Sequence, residues 1–209
     1  RIGNVLDNIH KAGYADIVVV DDGSADDTGA VAAKHGATVL AHTINRGYGA
    51  AIKTGLEYAR KRGADTVVTF DADGQHDPAD IAPVIAPILT GNADVVNGSR
   101  TKNRQDMPWI RRIGNFGLNI ATFLFFHHWV TDSQTGFKAY NKTALAKIDP
   151  KLDRYEFCSE IIHEVKRNKL RLVEVPITVI YTAESKAKGQ SVLGGIKTAW
   201  GMMKRLLLT

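Results

Sequence analysis

Four short runs of apolar, mostly β-branched residues, spaced between stretches of helical periodicity, set the fold class of this chain. The runs are Ile17-Val18-Val19-Val20, Thr38 to Ala41, Thr66 to Phe70 and Ala93 to Asn97. Short runs without alternation are the pattern of strands covered on both faces. Between them, Asp26-Asp27-Thr28 opens a helix that runs to about His35, Tyr48 to Arg62 is a helix closed by Gly63, and Pro78 to Leu89 is a third. Ahead of the first run, Arg1 to Lys11 places Ile2, Val5, Leu6 and Ile9 on one helical face. A βαβα rhythm of this kind predicts an α/β, Rossmann-like domain with a mostly parallel central sheet flanked by helices. The 209 residues suffice for one such core.

After Ser99 the rhythm breaks. Residues 100–108 are polar and basic and read as a loop. Trp109 to Phe126 is a long helix, Gly136 to Tyr140 a strand, and Phe157 to Arg167 a helix. Leu170 to Tyr181 is a strand whose Pro176 predicts an edge or a bulge. Residues 182–191 form a polar loop, and Leu193 to Leu208 an amphipathic helix. The chain therefore divides into residues 1–99, residues 100–192 and a terminal helix over 193–209.

The strongest chemical signal is Thr69-Phe70-Asp71-Ala72-Asp73-Gly74-Gln75-His76-Asp77-Pro78. It lies where an apolar strand gives way to a helix, the end of the strand at which open α/β sheets bind ligands. Asp71 and Asp73 sit one residue apart there. Unpaired, they repel each other; together they converge on one hard cation, Mg²⁺ or Mn²⁺, whose remaining shell diphosphate oxygens complete. Gln75 or His76 would add a third ligand. Asp77 and Asp80 read as helix-capping acids instead. A second acidic turn, Asp21-Asp22-Gly23-Ser24, follows the first apolar run. Asp21 or Asp22 there would accept from a base imide or a ribose hydroxyl. A third motif, Asn45-Arg46-Gly47-Tyr48-Gly49, puts two glycines and a cation at a helix start, which suits an anion.

These three motifs, together with Gly98-Ser99-Arg100 and in that order along the chain, resemble those of family 2 glycosyltransferases. Asp132-Ser133-Gln134-Thr135-Gly136-Phe137-Lys138-Ala139-Tyr140 resembles the acceptor-side motif of the dolichyl-phosphate mannose synthase and polyprenyl-phosphate glycosyltransferase branch. The resemblance implies a GT-A fold, a GDP- or UDP-sugar donor and a divalent cation. It places Asp22 on the nucleoside, Asp71 near the ribose or the metal, Asp73 as the main metal ligand and Gln75 close to the diphosphate. Asp21, Gly23, Ser24, Arg46, Gly47, Gly49 and Ala72 join them as nucleotide-sugar-binding positions. It also implies an opening strand with a Pro-Ala-Tyr-Asn-Glu-like motif ahead of the first helix; the expectation is that this strand lies outside the sequence given. Lys138 and the lysines of Lys186-Ala187-Lys188 stand where relatives carry arginine, which keeps the charge and loses the bidentate fork.

An inverting sugar transfer needs a nucleophile opposite the leaving diphosphate. A lipid phosphate is already anionic and needs cations to hold it. Arg100, Arg111, Arg112, Lys138, Lys186 and Lys188 are the expected clamp for a polyprenyl phosphate. A saccharide hydroxyl, as in polysaccharide synthesis, needs a general base, and Asp132 is the candidate. The other class to weigh is a non-catalytic nucleotide-sugar-binding protein. The catalytic expectation therefore rests on Asp73, Asp132 and Lys138.

Net charge is +5 from 27 basic and 22 acidic residues. Acidic strand-end motifs beside that charge argue against a nucleic-acid partner. The single cysteine, Cys158, forms no internal disulfide and fits a reducing compartment. No run reaches the roughly 18 apolar residues of a membrane span. A cytoplasmic protein, peripheral on the membrane face, is the expectation, with the terminal helix lying in the interface. The apolar stretch Ile120 to Trp129 has two readings, contact with a bilayer and core packing, of which core packing is preferred.

Overall fold

The computed structural model describes residues 1–101, 109–127, 129–154 and 156–180, with backbone alone for 109–112, 125 and 126. The chain enters through α1 (Ile2–Lys11), β1 (Val18–Asp21), α2 (Thr28–Lys34), β2 (Thr38–Ala41) and α3 (Tyr48–Lys61). There follow β3 (Thr66–Thr69), a 3₁₀ turn (Pro78–Asp80) leading into α4 (Ile81–Leu89), β4 (Val95–Ser99) and α5 (Trp109–Phe126). The described part ends with β5 (Lys138–Asn141), α6 (Lys142–Lys147), α7 (Phe157–Arg167) and β6 (Leu172–Pro176). Asp77 caps the 3₁₀ turn as expected, its carboxylate accepting from Ala79 N at 2.9 Å. The predicted helix over 193–208 lies outside the described residues.

The strands form two sheets. β1 and β2 pair in parallel. The second sheet has the order β3-β5-β4-β6. β4 and β6 run parallel, and β5 alone is reversed, antiparallel to both β3 and β4. β5 belongs to the later half of the sequence yet lies between two strands of the earlier half. β6 is an edge strand, which accommodates Pro176.

The pleat sends successive residues to opposite faces. Val96 and its cross-strand partner Ala139 go to a cluster with Val5, Ile9, Val84 and Phe137. Val95 and its partner Tyr140 go to the other cluster, with Leu145, Phe157, Ile161 and Val165. Helices α1 and α4 cover the first face; α3, α6 and α7 cover the second. All four of these central strand positions are at most 1% exposed. Among the described residues no helix is long and apolar enough to cross a membrane. Ile120, Phe123, Leu124 and Trp129 are 37–63% exposed, so the expectation that Ile120 to Trp129 packs in the core is overturned for its outward face.

Candidate active site

β3 ends at Thr69, and the turn that follows delivers Asp71 with its side chain 29% exposed. Both carboxylate oxygens are engaged. Tyr48, the first residue of α3, donates its hydroxyl to Asp71 Oδ1 at 3.1 Å. Burial raises the Tyr48 pKa well above its ordinary value and the neighbouring Asp71 charge adds to this, so the phenol keeps its proton. His76 Nε2 lies 3.3 Å from Asp71 Oδ2. The imidazole is 4% exposed and sits edge-on to Phe70 and Phe137, at 5.5 and 5.2 Å between ring centroids. Burial pushes the Asp71 pKa up, but His76, the Tyr48 hydrogen bond and the field of Arg100 outweigh it and hold it below the usual carboxylate value. Gly136 closes the far side: a β-carbon there would overlap the Tyr48 hydroxyl and both Asp71 oxygens.

Asp73, two residues on, is exposed. Its carboxylate accepts from Gln75 N at 2.9 Å and Gln75 Nε2 at 2.6 Å. Gln75 therefore fixes Asp73, and His76 faces Asp71. The two carboxylates are hard oxygen donors at a strand end, which suits Mg²⁺ or Mn²⁺. Among the described residues no group of three His, Cys, Asp or Glu side chains forms a cage. A site of two carboxylates completed by substrate phosphates is the ordinary arrangement for Mg²⁺.

At the end of β1, Asp21 Oδ1 accepts from Ser24 N at 2.9 Å. Asp22 is committed to the fold. It accepts from Arg46 N (2.9 Å), Gly47 N (2.7 Å) and His42 Nδ1 (2.6 Å). Burial raises its pKa, but these three bonds dominate and lower it. Gly23 lies against the Ile44–Asn45 backbone, and Ala72 and Ser24 are exposed. The glycines of the third motif have a packing origin. Gly47 has φ 105°, and a β-carbon there would stand 2.6 Å from Asp153 O. One on Gly49 would stand 2.8 Å from Leu152 O. Ala50 N donates to Asp153 O at 3.1 Å. The start of α3 is thus occupied by protein acceptors, Asp22 and the 152–153 backbone.

Two expectations on the acceptor side need correcting. Asp132 is 0% exposed, and Arg100 holds it through Nε (2.7 Å), Nη2 (2.8 Å) and its own backbone N–H (3.1 Å). Burial raises its pKa, and the Arg100 charge and hydrogen bonds bring it below the ordinary value. Such a carboxylate is neither accessible nor basic enough to take a proton from a hydroxyl acceptor. Lys138 is 1% exposed and points into the sheet. Its ammonium donates to Asn97 Oδ1 and Thr135 O, both at 2.6 Å, and burial lowers its pKa. It does not meet an incoming phosphate. Arg100 stands at the end of β4, with its side chain 24% exposed. The side chains of Arg111 and Arg112, and residues Lys186 and Lys188, lie outside the described residues.

Residues 2–149 match Glycosyl transferase family 2. A UDP-N-acetylglucosamine–dolichyl-phosphate N-acetylglucosaminyltransferase of Methanococcus voltae is 41% identical, over 97% of this chain and 89% of its own length. The polyprenol monophosphomannose synthase of Mycolicibacterium smegmatis is 31% identical, over 94% and 80%. Among solved structures, glucosyl-3-phosphoglycerate synthase from Mycobacterium tuberculosis, in complex with Mn²⁺ and UDP-glucose, superposes with a TM-score of 0.73. The two are 19% identical, over 99% of this chain and 73% of that one. That likeness fixes the fold as GT-A.

Proposed function

Because the chain belongs to glycosyl transferase family 2, we propose that it moves a hexosyl group from a nucleoside-diphosphate sugar to a polyprenyl phosphate, with inversion. The observation that carries the acceptor is the state of Asp132. The acidic residue of the acceptor motif is buried and bound by Arg100, so the described acceptor side offers no basic carboxylate. A phosphate acceptor arrives ionised and needs none. The relatives support the same reading: those from Methanococcus voltae and Mycolicibacterium smegmatis are named for transfer to, or synthesis on, prenol phosphates. The higher identity of the first favours a UDP donor over a GDP donor.

In this reading Asp73 and Asp71 would hold a divalent cation, whose charge would offset that developing on a leaving diphosphate. Tyr48 and His76 fix the Asp71 carboxylate before substrate binds. Arg100, paired to the buried Asp132, stands at the edge where the acceptor phosphate arrives, and Arg111, Arg112, Lys186 and Lys188 are the candidates for its clamp. Lys138 and Asp132 support the sheet end from within.

The test is transfer from radiolabelled UDP- and GDP-sugars to a short-chain polyprenyl phosphate, with Mn²⁺, Mg²⁺ or EDTA. The expected outcome is cation-dependent label in the organic phase. Label that appears only in free sugar or in a water-soluble saccharide would remove the lipid acceptor. No turnover of any donor with either cation would leave a binding protein.

A further inference from the structure

Helix α3 presents two faces to its surroundings. Tyr48, Ile52 and Leu56 pack on the second core cluster. Ala50, Lys53, Glu57 and Arg60 follow one another at spacings of three and four residues and share a neighbouring face, with Arg46 just ahead of it. That face is one wall of a groove of about 370 Å³. The facing wall is Ala144 and Leu145 of α6 with the loop 148–151, and Tyr140 of β5 lines the groove between them. Asp21, Asp22, Asp71 and Asp73 are not among its lining residues, so the groove lies apart from the strand-end site.

The charges along the groove do not cancel. Arg46, Lys53, Arg60 and Lys151 face two acids, Glu57 and Asp149. Both acids are paired with lysine, Glu57 with Lys61 at 2.8 Å and Asp149 with Lys151. Lys53 Nζ is spent on Lys151 O, at 3.1 Å, and on the Asp153 carboxylate. Arg46 bonds through its backbone N–H, and neither its guanidinium nor that of Arg60 forms a hydrogen bond or ion pair among the described residues. The Lys151 hydrogen bond and charge hold the Asp149 pKa below its ordinary value, and the field of Arg60 adds to this. Lys151 and Arg60 therefore stand at one end of the groove, where Arg60 is the uncompensated charge. A guanidinium fork matches the oxygens of a phosphate. The Leu56, Tyr140, Leu145 and Ile148 side chains beside it suit a flat organic ring, and the volume is that of a small-molecule site.

We propose that this groove is a second binding site, for a small phosphate ester that carries a ring, of the size of a nucleoside monophosphate, with the phosphate on Arg60 and the ring on the apolar side chains. The loop that forms its wall continues into the segment that braces the start of α3. Ala50 N donates to Asp153 O at 3.1 Å, Gly47 and Gly49 lie flush against the 152–153 backbone, and Tyr48 between them reaches Asp71 at 3.1 Å. A ligand that ties α3 to this loop acts on the strand-end carboxylates through Tyr48 without touching them. These contacts do not depend on the sugar-transfer reading.

The test is a titration of the isotope-labelled full chain with AMP, followed by amide chemical shifts, with no sugar donor, acceptor or divalent cation present. AMP is the probe because adenine is the base of neither proposed donor. Shifts are expected at residues 53–60 and 148–151, and beyond the groove at Tyr48 and Gly136, with an affinity that weakens as salt is raised. Arg60→Gln should bind AMP at least about tenfold more weakly. Its Tm should be unchanged, because Arg60 is exposed. Arg60→Lys keeps the charge without the fork and should lose less. Inorganic phosphate should bind more weakly than AMP; equal affinity would overturn the assigned ligand class. Shifts confined to residues 21–24 and 71–75 would put AMP in the strand-end site and overturn the proposal. Absence of binding at millimolar AMP, or unchanged affinity in Arg60→Gln, would do the same. Groove shifts that leave Tyr48 and Gly136 unmoved would overturn the action on the strand-end carboxylates. Sugar transfer enters none of these outcomes, so the two readings fail separately.

Discussion

At the scale of single residues the site is organised around one carboxylate. Asp71 is gripped by Tyr48 on one oxygen and His76 on the other, with Gly136 flush against it. Tyr48→Phe keeps the ring and removes one charge-assisted hydrogen bond, of order 1.5–3 kcal/mol, so kcat/KM should fall roughly tenfold or more. A positioning role also predicts that the Mn²⁺ concentration needed for half-maximal rate rises; an unchanged cation requirement would sink that role. Gly136→Ala must displace either Tyr48 or Asp71, since its methyl has no other space. Donor turnover should drop by more than in Tyr48→Phe while the fold, followed by circular dichroism, persists. The acidic turn was legible in the sequence because strand-end carboxylates one residue apart have few structural uses. Tyr48 stood inside a recognised motif, but nothing in its spacing shows that it reaches a residue 23 positions away. Lys138 and Asp132 were misplaced for a general reason. Charged residues are ordinarily exposed, and only the structure shows Asn97, Thr135 and Arg100 satisfying them inside.

At the scale of elements, periodicity located nearly every helix and strand, and pairing lay beyond it. α5 and α7 have the bounds read from the sequence, Trp109–Phe126 and Phe157–Arg167. α6 escapes the sequence reading: a helix of six residues is too short to display a helical period. α7 carries a second unforeseen feature, two fully buried glutamates. Glu160 accepts from Lys151 N at 3.0 Å and Leu152 N at 2.8 Å, and Glu164 from Asp149 N at 3.1 Å. These bonds hold the loop whose Asp153 carbonyl receives Ala50 N at the start of α3. Glu160→Gln turns an acceptor-only group into one that also presents donors to those amides. The expected cost is about 2 kcal/mol and a Tm lower by about 4–8 °C. Hydrogen exchange at Lys151 and Leu152 should accelerate with it. An unchanged Tm would show that the loop is held by its apolar contacts alone.

At the scale of the whole molecule, one ion pair joins distant parts of the second sheet. Asp94, just before β4, accepts from Arg171 N and Nε at 2.9 and 3.0 Å, from Arg171 Nη2 at 2.9 Å and from Asn141 Nδ2 at 2.9 Å. The Arg171 hydrogen bonds hold its carboxyl far below the ordinary 3.8, against a smaller opposing effect of burial. A carboxyl whose folded pKa is depressed stabilises fully above its unfolded pKa and loses that contribution as pH falls through the folded value. Wild type should therefore exceed Asp94→Asn in unfolding free energy at neutral pH, by about 1–3 kcal/mol, and the gap should shrink below about pH 4. Urea titrations at the two pH values measure it; a gap that widens in acid would contradict the assignment. The reversed strand has a consequence of another kind, in the order of synthesis. β5 fills the space between β3 and β4, pairing Thr66 with Asn141 and Val95 with Tyr140. A growing chain that has left the ribosome through β4 holds two parallel strands with nothing between them and their inner edges bare. The central sheet closes only when Asn141 emerges, so its folding is late, non-local and slow, and its half-made edges are the ones that chaperones would have to guard.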